Sequence, residues 1–417
     1  MTFIWNILFL GAAYFVYGLL ATNPNKRVFA GDLPSDEVVN GYLLPKEIID
    51  DDEEGLTKKV VDAFSAQTRG KTKNIGSDDP TFHEPHWGHT NGVLRGTLQI
   101  NQINNLPETF RVGLFAQKAD YPVVARSGLA RDYDLGFAIN RLAVKLEMPE
   151  NNPNAYAASG EARELDLLMV AANAQQNDDS HTFFVRDGRQ MAIAGALKPP
   201  SMQTLKMLSN WRNLALLLRV KARVGRLSAT ARKAPENAKG WAGKPYYGLG
   251  PFKLGDGAMK IRITPNQIHD VAEFDPLKSD VTQTYKDNMD QWLNEGRTAE
   301  FTLSVQLATS DCIPEPGPED PPKGVMAAEY CDIIWDETKS PYIDVGTLSL
   351  SADQAINSAE LAGRLQFNSW NTYDSMRPLG QLFRARKHVH AAHSNVRVEH
   401  LYGGKAGEMV GKCPFAG

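Results

Sequence analysis

The sequence predicts an α+β chain, an antiparallel β-sheet or barrel followed by helices gathered at one end. Three observations carry this. Apolar and polar residues alternate with a period of two in short runs between about residues 93 and 350. The runs are separated by Gly- and Pro-rich punctuation, of which IPEPGPEDPPKG at 313–324 is the longest. From residue 352 to 400 the composition becomes that of helix, and no internal repeat is present.

The 417 residues are 42% hydrophobic and 23% charged, an ordinary globular composition large enough to enclose a bulky ligand. A formal net charge of -4 argues against duplex nucleic acid as a partner, since that polyanion selects basic surfaces. The three cysteines form no CxxC pair and imply neither a disulfide framework nor a zinc site, which fits a reducing compartment.

Residues 3–21 are apolar apart from Asn6 and two glycines, and a helix of that length spans about 29 Å, enough for a bilayer core. No Lys or Arg precedes the run and Lys26 and Arg27 follow it, so we read residues 1–22 as an uncleaved membrane anchor with the body on the cytoplasmic side. Residues 23–80 are polar, with an acidic run at 50–54, and read as a spacer arm holding at most one short helix at 53–66.

The barrel domain is expected over 81–350. It opens with His83, His86 and His89, spaced by three, before a strand at 93–100. Pro85 keeps a regular helix from aligning them, so one histidine working as an acid-base group is preferred to a zinc site. Strand-like runs follow at 107–117 and 122–149, with Arg126 among small residues in the second, and the segment 164–188 reads as another buried strand, a polar knot and a second short strand. An amphipathic helix is predicted over 202–233, with a basic second half. The stretch PYYGLGPFKLGDGAMK at 245–260 offers two tyrosines, a Gly-punctuated turn and Lys253; it reads either as a plain hairpin or as the seat of a metal-bearing cofactor. Further strands fall at 259–265, 298–309 and 340–351. The segment 351–417 is helical, and its His388, His390 and His393 read as solvated or packed side chains.

WDETKSPYIDVGTLSL at 335–350, FNSWN at 367–371 and RPLGQLFRARKHVH at 377–390, in that order, resemble the catalase-like haem superfamily, in particular its smaller peroxidase and hydroperoxide-isomerising relatives. The similarity runs from about residue 83 to 397. It implies an eight-stranded antiparallel barrel enclosing haem b. By the resemblance, Tyr246 is the proximal iron ligand, with Tyr247 as its neighbouring alternative, and Lys253 stands where full catalases carry an arginine. His89 matches the distal histidine, with His86 as the alternative. Arg126 matches a propionate-binding arginine. Asn177 matches the distal asparagine, with Asp178 and Asn173 nearby, and Met191 takes the place of a phenylalanine stacked on the haem. The implied activity is cleavage of hydrogen peroxide or of organic or lipid hydroperoxides. Isomerisation of fatty-acid hydroperoxides and a silent membrane-tethered barrel are the alternatives. The resemblance leaves homo-oligomerisation open.

Overall fold

The computed structural model describes residues 36–47, 49, 88–132, 137–149, 164–171, 240–248, 250–266, 281–313, 327–329, 335–351 and 359–402, with scattered positions between 53 and 69. The expected anchor at 1–22, His83, His86, Asn177, Met191 and the helix at 202–233 lie outside the described residues. Among the described residues no helix is long and apolar enough to cross a membrane.

Two short strands, β1 (Glu37–Val39) and β2 (Tyr42–Leu44), form a hairpin. Its second strand is fastened to the body, since the Leu43 amide donates to the Ala308 carbonyl at 2.9 Å. This part of the expected spacer arm is therefore docked, and Glu53 beyond it is buried as well.

The body is built from β3 (Gly88–Ile100), β4 (Ala119–Asp132), β5 (Phe137–Glu147), β6 (Glu164–Val170), β7 (Tyr246–Gly248), β8 (Phe252–Leu254), β9 (Gly257–Pro265), β10 (Thr298–Leu307) and β11 (Ile343–Ser351). All neighbours are antiparallel, in the order β10-β11-β3-β4-β5-β6-β7-β9-β8, and β10 pairs in turn with β9. That last pairing closes the sheet. β7 and β8 share the same edge of β9 and act as two halves of one interrupted strand, so the wall closes into an eight-stranded barrel.

Alternation along each strand decides what faces inward. Leu94 and Leu98 of β3, Val123 and Ala125 of β4, Leu142 and Val144 of β5, Met259 and Ile261 of β9, and Phe301 and Leu303 of β10 fill the interior as one buried cluster. Each of these side chains larger than alanine contributes about 1.5–3 kcal/mol by leaving water. The helix α1 (Val281–Glu295) adds Met289, Trp292 and Leu293 to this core. On the outside, Val93 and Val124 are covered by Ala362 of α2 (Ala359–Arg364) and by Leu365 and Phe367 of the loop after it. The last helix, α3 (Gln381–Tyr402), follows that loop.

Candidate functional site

The barrel wall separates the residues that the resemblance groups together. Tyr246 of β7 pairs with Ile263 and points inward, fully buried, edge-on to Phe301. Its hydroxyl donates to the Trp241 carbonyl at 2.7 Å. Burial, with the Tyr285 phenol nearby, pushes its pKa well above the ordinary value, so the group is a neutral hydrogen-bond donor rather than a phenolate. Lys253 pairs with Ala258, five residues from Ile263 on β9, which is about 16 Å at the rise of a strand. Lys253 also alternates with the inward-facing Phe252 and Leu254, which puts it on the outer face. The interruption between β7 and β8 thus sets Tyr246 and Lys253 apart along β9 and on opposite faces of the wall.

Arg126 lies on the outer face of β4, opposite Ala143, with one amino group donating to the Ala362 and Leu365 carbonyls at 3.0 and 3.2 Å. Tyr246 and Arg126 thus face opposite sides of the wall. Tyr247, opposite Arg262, faces outward. His89 stands near the start of β3, opposite Leu129, and its side chain is outside the described residues. Among the described residues no group of three or more His, Cys, Asp or Glu side chains could hold a metal ion.

The structure brings together a different set, centred on His390 in the middle of α3. The residue as a whole is half-buried, and its Nδ1 is buried and has no hydrogen-bond partner. Burial and then the positive charges of Arg386, His393, Arg141 and Arg126 hold its pKa well below the ordinary imidazole value. The ring is therefore neutral at physiological pH. Arg386 precedes it by one helical turn, and Arg126 and Arg141 come from adjacent strands on the same outer face. Three guanidiniums, which do not deprotonate, thus act electrostatically on one neutral imidazole whose Nδ1 has no hydrogen-bond partner.

This cluster was legible in part. In RARKHVHAAH, positions 386, 390 and 393 share a helix face by their spacing, and His388 points elsewhere and is exposed. The missing information was which face meets the barrel. Phe383, Val389, His393 and Val396, all buried, mark it.

The remaining signature residues fasten α3. The Arg384 guanidinium donates to both carboxylate oxygens of Glu53 at 2.6 and 2.9 Å and to Glu47 at 2.7 Å, and Arg377 pairs with Glu47. Burial works to lower the Arg384 pKa, and the neighbouring carboxylates of Glu53, Glu329 and Glu47 outweigh it and raise the pKa. RPLG and the first arginine of RxR thus bind the docked N-terminal segment to α3.

No family model and no curated protein matches the chain. Solved structures similar to it include a fungal catalase (11% identity over 95% of this chain and 74% of that one, TM-score 0.49) and a bacterial catalase (14%, 91% and 69%, 0.48). Catalase A from Saccharomyces cerevisiae is similar at 12% identity over 93% of this chain and 74% of its own, with a TM-score of 0.47.

Proposed function

We propose that the chain is a haem-dependent enzyme that cleaves hydroperoxides, with His390 of α3 rather than Tyr246 as the protein ligand to iron. The observation that carries this reading is the buried, unpartnered Nδ1 of a neutral imidazole set among Arg126, Arg141 and Arg386. The donor set suits haem. Imidazole is a common axial ligand, and guanidiniums pair bidentately with carboxylates such as the two propionates. Tyr246 suits it less well, because its hydroxyl is engaged with the Trp241 carbonyl.

When bound, haem would supply the iron at which the O–O bond of a hydroperoxide breaks. The chain's own share is to keep His390 neutral, to balance the propionate charge, and to exclude water by packing α3 on the barrel. His89 keeps the distal acid-base role that the resemblance gives it, taking a proton from the hydroperoxide and returning it to the departing oxygen. We propose in addition that residues 3–21 tether the chain to a membrane, where lipid-derived hydroperoxides concentrate.

Haem titration of the purified protein, followed by the Soret band, tests the ligand. His390→Ala is expected to weaken retention at least roughly tenfold, the scale on which metal-site partners act. Equal loading of His390→Ala and wild type, with loss in Tyr246→Phe, would return the role to Tyr246.

A further inference from the structure

We propose that Asp166 is a positioning residue: through the loop 367–371 it fixes the rotation of α3, and so holds Arg386 and His390 against Arg126 and Arg141 of the barrel wall. The inference rests on the reading of His390 given above. Its geometry, however, involves none of the residues that would touch the cofactor except Arg126.

Asp166 of β6 and Lys145 of β5 are register partners on the outer face, and both are buried. One oxygen of Asp166 accepts from the Lys145 ammonium at 2.7 Å. The other accepts from the Asn368 amide and from Nδ2 of Asn371, both at 2.8 Å, and the Asp166 amide donates to the Asn371 carbonyl at 2.9 Å. A single carboxylate thus determines both ends of FNSWN.

The loop passes this on to the helix. Asn368 Nδ2 donates to the Lys387 carbonyl at 3.2 Å, and Trp370 Nε1 donates to the Phe383 carbonyl at 2.6 Å. These carbonyls are one turn apart in a helix that runs on to Tyr402, so they lie on one side of α3 and are not orphans at its end. Two side-chain donors on one stripe of a helix specify its rotation. One residue earlier in the loop, the Phe367 ring receives the Arg126 guanidinium at 4.9 Å and the Lys145 ammonium at 5.4 Å from its centroid. The same loop therefore registers α3 and Arg126 against each other.

A buried ion pair is a weak stability device, because an apolar replacement of similar volume is often as stable. Its value here is orientation, and that separates the two roles experimentally. Hydrogen exchange followed by mass spectrometry on the full chain without haem compares wild type, Asn368→Ala, Asp166→Asn and the apolar pair Lys145→Met with Asp166→Leu. Asn368→Ala and the apolar pair are expected to raise exchange at amides 383–390 roughly tenfold relative to the β3 and β4 amides; the pair also lowers the thermal midpoint, since Asp166→Leu strands the Asn368 amide and Asn371 Nδ2. Haem retention is expected to fall in all three variants.

Unchanged exchange over 383–390 in Asn368→Ala and in the apolar pair would overturn the proposal. So would a rise spread evenly over the barrel, which is the mark of lost stability alone. A local rise in α3, with haem retention intact in these variants and in His390→Ala, would uphold the positioning role and remove the haem reading instead.

Discussion

Tyr246 shows what full burial does to a phenol. A phenol that donates to a backbone carbonyl in a fully buried site has no reason to ionise, and its pKa is raised by that burial. Tyr285, buried beside Lys244, is raised for the same reason. A raised folded-state pKa contributes stability that is present below the unfolded value near 10 and is lost as pH climbs above it, because only the unfolded chain then releases the proton. Phenolate absorbance on alkaline titration is therefore expected in two phases, with Tyr246 and Tyr285 in the later one, coincident with unfolding. Tyr246→Phe should lower the amplitude of the later phase, leave haem retention unchanged and cost about 1–3 kcal/mol, since it strands the Trp241 carbonyl. What the sequence conceals at this scale is the break between β7 and β8. Tyr246 and Lys253 are seven residues apart and look adjacent, but the strand is interrupted between them and they settle at different points along β9. Gly380 lies at the opposite pole of legibility, as the glycine of RPLG at a helix entry. Its φ is +89° and an added Cβ would lie 2.5 Å from the Glu329 carbonyl oxygen. Gly380→Ala is expected to cost about 1–3 kcal/mol in denaturant unfolding.

Among the elements, α3 is attached differently on its two sides. Toward the barrel it presents Arg386, His390 and His393; toward the N-terminal segment it presents Arg384. That the C-terminal stretch forms a helix could be read from composition. That FNSWN and RPLG matter could be read from resemblance, whereas their physical task could not, because Asp166, Glu47 and Glu53 are far from them in sequence. Replacing Arg384 leaves two largely buried carboxylates, Glu47 and Glu53, without their shared cation. Arg384→Met is expected to destabilise the fold by about 3 kcal/mol, a typical cost of breaking a buried pair. Limited proteolysis should then cut between residues 47 and 88 faster than in wild type, whereas the Soret position of loaded protein stays the same.

At the scale of the whole molecule the period-two alternation foretold strands and an inward apolar face, and the structure adds the closure that alternation alone does not specify. Closure depends on how near the strands come. A Cβ on Gly96 of β3 would lie 1.8 Å from the Ser349 carbonyl oxygen of β11, so these two strands pack more closely than any side chain allows. Gly96→Ala is expected to open the β3–β11 seam, exposing an edge, and to send the protein into the insoluble fraction. The barrel and the proposed anchor make separate demands on the chain, which allows them to be tested separately. If residues 3–21 insert in a bilayer, full-length protein should float with liposomes on a density gradient and resist extraction at high salt, because apolar insertion is not screened. A chain lacking residues 1–22 should remain at the bottom of the gradient while keeping the same haem spectrum, since His390 and the arginines proposed to act on it, Arg126, Arg141 and Arg386, lie outside that segment. Flotation of the shortened chain would move the membrane contact to the folded body, and sedimentation of the full-length chain would remove the tether and with it the argument for a bilayer-derived hydroperoxide.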